Sequence, residues 1–234
     1  LEIELIESDN ASVVIEADEN LHDVIVFSVQ DSILNIGTTA KIQSSKRLNI
    51  TLYYTGSLKG IELRDDAELK AVNTFENETL ELRINDYARA FINIKNKAFQ
   101  LINHNKSTFG VSSKSKLNVE SSIVNLALGQ NSKTEALIVS DSLAVDAYES
   151  AYAKIEGTSD YLKLNAANDS EFSSKNLTIT DCELIVEDSS DTSIQVNESL
   201  TIEASGKSKI HIYSNPKITL NLFKDNASIH KKRL

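Results

Sequence analysis

Residues 191–220 read DTSIQVNESL TIEASGKSKI HIYSNPKITL, and this stretch decides the fold. It holds two copies of one unit, in which a polar turn residue, a small residue and any residue precede an apolar residue that opens a short alternating run. The copies are Asp191-Thr192-Ser193-Ile194 and Lys207-Ser208-Lys209-Ile210. A second run, Leu200-Thr201-Ile202, returns as Ile218-Thr219-Leu220. Alternation of apolar and polar residues is typical of strands with one dry and one wet face.

The first unit recurs along most of the chain. It runs from Asp66-Ala67-Glu68-Leu69 to Asn226-Ala227-Ser228-Ile229, with further copies that begin at Tyr87, Lys106, Lys133, Ser150 and Asp169. The 160 residues from Ala67 to Ala227 divide into eight steps, so the mean period is 20 residues. The second run recurs every 19 residues or so between Leu143 and Ile218. Each period therefore holds at least two short strands.

Such a period predicts an all-β solenoid in which identical phases of successive coils pair in parallel, about 4.8 Å apart. The small residue is expected at a turn, because stacked turns leave no room for a large side chain. Leucine-rich repeats share the period, but their Leu-x-x-Leu-x-Leu pattern and helical return are missing from this sequence.

We predict a single solenoid domain over residues 1–234, with N-terminal coils and a cap in residues 1–58 and repeat coils in residues 59–234. The first segment is less periodic, and its strand-like runs are residues 11–16, 23–29, 32–36 and 47–54. A separate sandwich domain is the alternative interpretation of this segment. No Pro- or Gly-rich linker follows it, which favours the cap.

The formal net charge of −10 disfavours binding to nucleic acid and to anionic membranes, because both need clustered basic residues. The basic run Lys231-Lys232-Arg233 is interpreted as a solvated tail. No stretch of 18 or more apolar residues predicts a membrane span. No export signal is visible at Leu1.

Few residues suggest chemistry. Cys182 lies between Asp181 and Glu183, whose carboxylates should raise the thiol pKa, so a packing role is favoured over a nucleophile. The four histidines lack zinc-site spacing. Stacked coils could bring His211 and His230 together, and we interpret such a pair as a surface ladder rather than a metal site.

Carboxylates recur at the predicted turns, as Asp65, Asp66, Asp86, Asp169, Asp181, Asp191 and Asp225. They could align into a calcium-binding ladder, but capping of turns is favoured. A polysaccharide lyase would need carboxylates beside a basic residue. The candidates are Arg64 beside Asp65 and Asp66, and Arg83 or Arg89 near Asp86, and these arginines could equally be ion-pair partners. The sequence therefore predicts no catalytic, cofactor-binding or metal-binding residue and no cofactor.

The C-terminal stretch resembles a known family. Residues 203–218, EASGKSKIHIYSNPKI, are similar to the closing coil of the family called putative auto-transporter adhesin, head GIN domain. The run at residues 48–54, LNITLYY, followed by Leu58-Lys59-Gly60-Ile61, resembles the entry into that family's repeats. This chain departs from the family in its turns, where Asp-Ala, Lys-Ser or Asn-Ala replaces most Gly-Ser-Gly sequences. Asn and Asp tolerate positive φ next best after glycine, so we expect the fold to survive.

The resemblance implies a right-handed, pectin-lyase-like parallel β-helix, export to the bacterial cell envelope or surface, and a role in adhesion. We therefore expect a non-catalytic surface or secreted module that presents an extended acidic solenoid surface to a protein or polysaccharide of a host, matrix or envelope. Self-association is a further possibility. The alternative is a carbohydrate-active β-helix enzyme, which a deep groove lined by carboxylates and a base would favour.

The alternation also predicts which side chains point inward. Ile212 is expected in the core and His211 outside it. The other inward positions are Leu177, Ile179, Leu200, Ile202, Ile210, Ile218 and Leu220, and the other outward positions are Thr178, Thr201 and Thr219.

Overall fold

The chain folds as a parallel β-solenoid of about nine turns with about 19 residues per turn. The computed structural model describes residues 1–109 and 118–233. The sequence prediction of an all-β solenoid is therefore confirmed. The first strands are β1 (Glu2–Glu7), β2 (Ser12–Ala17), β3 (Ile25–Gln30), β4 (Ile33–Thr38), β5 (Leu48–Tyr54), β6 (Gly60–Leu63), β7 (Glu68–Ala71), β8 (Phe75–Glu76), β9 (Thr79–Ile84) and β10 (Arg89–Phe91).

The remaining strands are β11 (Ile94–Asn103), β12 (Thr108–Phe109), β13 (Asn118–Leu128), β14 (Lys133–Ala147), β15 (Tyr152–Ala166), β16 (Glu171–Val186), β17 (Asp191–Ala204), β18 (Lys209–Ile212), β19 (Lys217–Phe223) and β20 (Ser228–Lys231). Among them, β11 and β13 to β17 are long, at 10–16 residues each, because they turn corners without a break in strand structure. A short 3-10 helix, Glu19–Leu21, follows β2.

Each coil has three faces, as β16 illustrates. Its buried positions alternate within residues 172–174, 177–179 and 182–186, and two exposed or half-exposed residues separate each group from the next. We call the faces entry, middle and exit, in chain order. The entry face runs through β2, β5, β1, β7, β10 and β12, the first segments of β14 to β17, and then β18 and β20. The exit face begins at β6 and β9 and ends at β19.

The core is a set of stacked columns of apolar side chains. In one column Leu143, Leu162, Cys182 and Leu200 occupy the same position in successive coils, and at most 3% of each residue is exposed. Three large phenylalanines, Phe75, Phe99 and Phe172, are also fully buried. Neighbouring coils cover each other, so burial of apolar area stabilises the stack in the way typical of solenoids.

The small residue of the repeat lies at a tight turn, as predicted. Ala88, Ser107, Ala151 and Ser170 are all buried there. Two copies were misaligned, because the sequence pattern put Thr134 and Thr192 in this role. The structure gives it to Ser132 and Ser190, which are buried two residues earlier and donate their backbone N–H within the turn. Thr134 and Thr192 instead begin the inward side of the entry face.

The predicted inward and outward positions are confirmed for β16, β17 and β18, where Leu177, Ile202 and Ile212 are buried and Thr178, Thr201 and His211 are half-exposed. The prediction is wrong for the burial of β19. Ile218 is 45% exposed and Leu220 is 51% exposed, although each lies in register with a fully buried residue of β17. No described strand pairs with β19 on its other side, so no further coil covers these side chains.

At the opposite end the chain does not stack in sequence order. β1 lies between β5 and β7, parallel to both, and β2 pairs antiparallel with β5 at the edge. The segment between β2 and β5 carries a separate hairpin, β3–β4. The division of the chain at residue 58 and its treatment as one domain stay predictions.

Candidate functional site

The outer surface of the entry face carries several ion pairs between basic side chains and glutamates. Lys70 Nζ contacts Glu68 at 2.7 Å and also reaches Glu2, and Arg89 contacts Glu68 at 2.6 Å. Further along, Lys133 pairs with Glu135 at 2.9 Å. These residues lie in adjacent coils or adjacent outward positions, so stacking places opposite charges side by side. Such exposed pairs contribute little stability individually, and they neutralise one another along the face.

The three arginines considered for a lyase site form their ion pairs with glutamates. Arg64 Nε donates to Glu62 at 2.8 Å, and Arg83 Nε donates to Glu81 at 2.5 Å. Arg89 is held by Glu68 in the entry face. The bond from Arg64 to Glu62 is the main reason that the guanidinium pKa is raised. The structure thus places these arginines in ion pairs with glutamates on their own faces.

The turn aspartates cap backbone amides of neighbouring coils. Asp86 accepts a bond from the N–H of Asp65 at 3.3 Å, Asp188 from Asn168 at 3.2 Å, and Asp225 from Gly206 at 3.1 Å. The described turns also hold positive φ at a non-glycine residue in nearly every coil, between 50° and 64°. Asn and Asp tolerate that conformation, which explains why the chain manages with few glycines. Asp188 belongs to this ladder and was missed, because its copy of the repeat was misaligned.

The predicted aspartates otherwise lie apart. Asp181 is on the exit face, where it accepts a bond from the hydroxyl of Ser199, and Asp191 opens the entry face. Within residues 1–109 and 118–233, no group of three or more His, Cys, Asp or Glu side chains is arranged to hold a metal ion. The geometry therefore supports turn capping and gives no support to a calcium ladder.

His211 and His230 do stack on the entry face, with ring centroids 5.2 Å apart and an interplanar angle of 24°. His211 Nε2 lies 3.3 Å from Asp191, and His230 Nε2 lies 3.0 Å from the Ser228 hydroxyl. A different histidine, His104, shares a 2.8 Å hydrogen bond with the Tyr148 hydroxyl near a turn. Burial lowers the His104 pKa from its usual value.

Cys182 packs in the exit-face core column and is 3% exposed. Burial, followed by the charge of Glu183, raises the pKa of its thiol far above its usual range. We expect the folded protein to show no reaction of Cys182 with Ellman's reagent at pH 8 over an hour. One thiol per chain should react once urea unfolds the protein. Rapid labelling without urea would contradict the buried packing role.

A shallow, open cleft of about 300 Å³ lies beside the hairpin at the N-terminal end. Leu21, Val24 and Ile42 supply its apolar wall, and Lys41 is the charged residue on its rim. The described residues that line the cleft include no carboxylate beside a base, so it does not resemble the groove expected of the carbohydrate-active alternative.

The comparisons with known proteins agree with this architecture. The family model described as "Putative auto-transporter adhesin, head GIN domain" matches residues 1–122 and, a second time, residues 108–216. A structure described as a putative adhesin from Parabacteroides merdae is 15% identical, covers 99% of this chain and 88% of its own, and has a TM-score of 0.68. No curated protein matches the chain.

Two structures from Parabacteroides distasonis are similar as well. One is described as a putative adhesin. It is 13% identical, the match covers 99% of this chain and 89% of the other, and the TM-score is 0.66. The other is described as a putative lipid binding protein. It is 18% identical, the match covers 99% of this chain and 89% of the other, and the TM-score is 0.64. At these identities the likeness establishes the shared fold. Among the described residues, no helix has the length and apolar character that a membrane crossing requires.

Proposed function

The chain belongs to the family described as putative auto-transporter adhesin, head GIN domain, and from this premise we propose that it is a non-catalytic module displayed at a bacterial cell surface, where its outer faces bind a protein or polysaccharide of a host, matrix or envelope. The paired charges of the entry face are the observation that carries the proposal. They provide a long polar surface on which Lys70, Arg89 and Lys133 are held in ion pairs with glutamates.

The exit face has the same character. One outward column crosses eight strands, and in register order it contains Glu81, Gln100, Asn125, Ala144, Lys163, Glu183, Thr201 and Thr219. At the spacing of paired strands this column is about 35 Å long. Apart from the Ala144 methyl group, its side chains are hydrogen-bond donors, acceptors and single charges of both signs. They suit many weak contacts along an extended partner more than one tight site.

Weak contacts become effective adhesion when many copies act together. Linking binding events can raise the overall affinity by about 10²- to 10⁴-fold without any new contact. The proposal therefore predicts that isolated chains bind weakly and that the same chains on a particle bind firmly.

The test compares the binding of the free chain with that of many copies of the chain on one bead. Beads coated with the protein, beads coated with an unrelated protein of similar net charge, and the free chain are applied to immobilised mucin, collagen, fibronectin, pectin, alginate and glycosaminoglycans. We expect the coated beads alone to be retained on at least one surface, and millimolar free chain to release them. Exchange of charge on the exit face, Lys163→Glu with Glu183→Lys, should reduce retention. The same exchange on the entry face, Lys154→Glu with Glu171→Lys, should reduce retention as well, because the proposed contacts lie on both faces.

Enzyme activity is measured on the same polysaccharides, with and without calcium. Unsaturated products that absorb in the ultraviolet, or new reducing ends, would replace the binding module with the carbohydrate-active alternative. Beads that pass over every surface would count against adhesion.

A further inference from the structure

The two ends of the solenoid carry opposite charge. Residues 1–40 contain nine acidic side chains and no Lys or Arg, whereas residues 205–233 contain seven basic side chains and one acidic side chain. The net charges of these segments are therefore −9 and +6 in a chain of −10 overall. The strand order separates them, because β2 is the outermost strand at one end of the entry face and β20 is the outermost at the other.

The basic end also exposes apolar side chains. In β19, Ile218, Leu220, Leu222 and Phe223 are 41–51% exposed. Ile218 and Leu220 continue core columns of β17, so in any earlier coil they would be covered. Lys217 and Lys224 flank this strand in the sequence. The last coil is thus an uncovered apolar strip with lysines at both of its ends.

The acidic end exposes a second apolar patch, on the hairpin. Phe27 and Val29 lie on one side of β3, where they pair with Ile36 and Leu34 of β4, and they are 64% and 73% exposed. The hairpin is inserted between β2 and β5, the two outermost strands of the entry face at this end. Asp31 occupies its turn and Asp23 precedes it, so the patch is bordered by acidic groups.

We propose that copies of this chain associate end to end, with the acidic hairpin of one copy seated on the basic last coil of the next. Apolar area is covered on both partners, and the surrounding charges attract one another. Pairing of two like ends would place lysines against lysines or aspartates against aspartates. The contact joins unlike surfaces, so it can repeat and form a linear row of copies. This inference does not depend on the proposed function.

An anionic membrane is the other occupant to consider for the basic end, since lysines beside exposed apolar residues also suit a lipid surface. The second copy is favoured because it accounts for both uncovered patches at once. A second copy also covers the apolar patch at the acidic end, which a membrane at the basic end would leave exposed.

The experiment uses two variants of the full chain, each blocked at one end. The hairpin variant is Phe27→Lys with Val29→Lys, and the coil variant is Leu220→Asp with Phe223→Asp. Each places a charge opposite a like charge of the partner. All four positions are exposed, so both variants should fold, which circular dichroism and a thermal melt verify. Ile123→Asp with Val139→Asp is the matched control for the coil variant, because these apolar residues are 49% and 48% exposed and lie in the middle of the stack.

Sedimentation velocity at 50 mM salt then gives the result. We expect the wild type and the matched control to form concentration-dependent species larger than a monomer, and 500 mM salt to reduce them. Each blocked variant alone should stay monomeric at every concentration. A mixture of the two should form a one-to-one dimer and nothing larger. The unchanged last coil of the hairpin variant can bind the unchanged hairpin of the coil variant, and the other end of each chain is blocked.

Other results would overturn the proposal. A wild type that stays monomeric at every concentration removes the contact. A coil variant that still associates shows pairing of two hairpins, and a hairpin variant that still associates shows pairing of two last coils. Monomeric wild type that sediments with phosphatidylglycerol vesicles, together with a coil variant that does not, assigns the basic end to a membrane.

Discussion

Leu143→Asp should unfold the solenoid at a far lower urea concentration than the wild type requires. Leu143 is fully buried in β14 and is covered by Val124 and Leu162 of the adjacent coils. The substitution removes a large apolar side chain and buries a carboxylate without a partner, and together these effects cost about 5 kcal/mol or more. Total stabilities of domains are about 5–15 kcal/mol, so the folded state should lose most of its margin.

The adjacent residue provides the control. Ala144 points outward from the same strand, and its neighbours in the adjacent coils are Asn125 and Lys163. Ala144→Asp should change the free energy of unfolding by less than about 1 kcal/mol, because the new carboxylate stays hydrated near a lysine. Urea unfolding followed by circular dichroism measures both. Similar losses for the two variants would mean that the assigned inward and outward positions are wrong.

Gly157→Ala should produce the second large effect, although it adds a single methyl group. Gly157 has φ of +115°, and a Cβ atom at this position would lie 2.1 Å from the carbonyl oxygen of Ile138 in the preceding coil. The clash is with backbone in the ladder, so relief requires the coils to move apart. A register shift between Lys154 and Gly157 marks the same corner. We expect a loss of about 3 kcal/mol or more, from the strained φ and the overpacking together.

Gly60→Ala is the matched change, because a methyl group at this position would lie an ordinary 3.9 Å from its nearest neighbour, the Glu81 carbonyl oxygen, and the φ of Gly60 is not in the left-handed region. This variant should be neutral within about 1 kcal/mol. Thermal unfolding of the two variants beside the wild type decides the question. A Gly157→Ala protein as stable as the Gly60→Ala protein would show that the corner adjusts without cost.

The fold was accessible from the sequence because solenoid packing is local and repetitive. Successive coils inside the stack bury the same phases of the repeat, so alternation in a run such as Leu200-Thr201-Ile202 is enough to orient it. Most turns could also be predicted, since Asp or Asn occupies most of the non-glycine positions that have a positive φ. Alignment of single copies was weaker. Thr134 and Thr192 resembled the small turn residue, and only the stack showed that Ser132 and Ser190 fill it.

The candidate surfaces depended on which coil lies beside which. The arginines near Asp65 and Asp86 are sequence neighbours of those acids. Arg64 nevertheless bonds to Glu62 and Arg83 to Glu81, because residues two apart along an extended segment point to the same side. His211 and His230 were correctly expected to approach, since they occupy the same phase of adjacent coils.

By itself, the sequence determined the period, the all-β class and the inward side of the runs between Leu177 and Leu220, because these follow from the alternation of side chains along one segment. Only the tertiary structure decided which apolar side chains are covered. Leu220 carries the same pattern as Ile202, but among the described residues Ile202 has a paired strand on either side and Leu220 has one. The burial of a side chain therefore depends on the coils beside it and not on its own residue type. The order of strands at the N-terminal end, with β1 between β5 and β7, is set by contacts between distant segments.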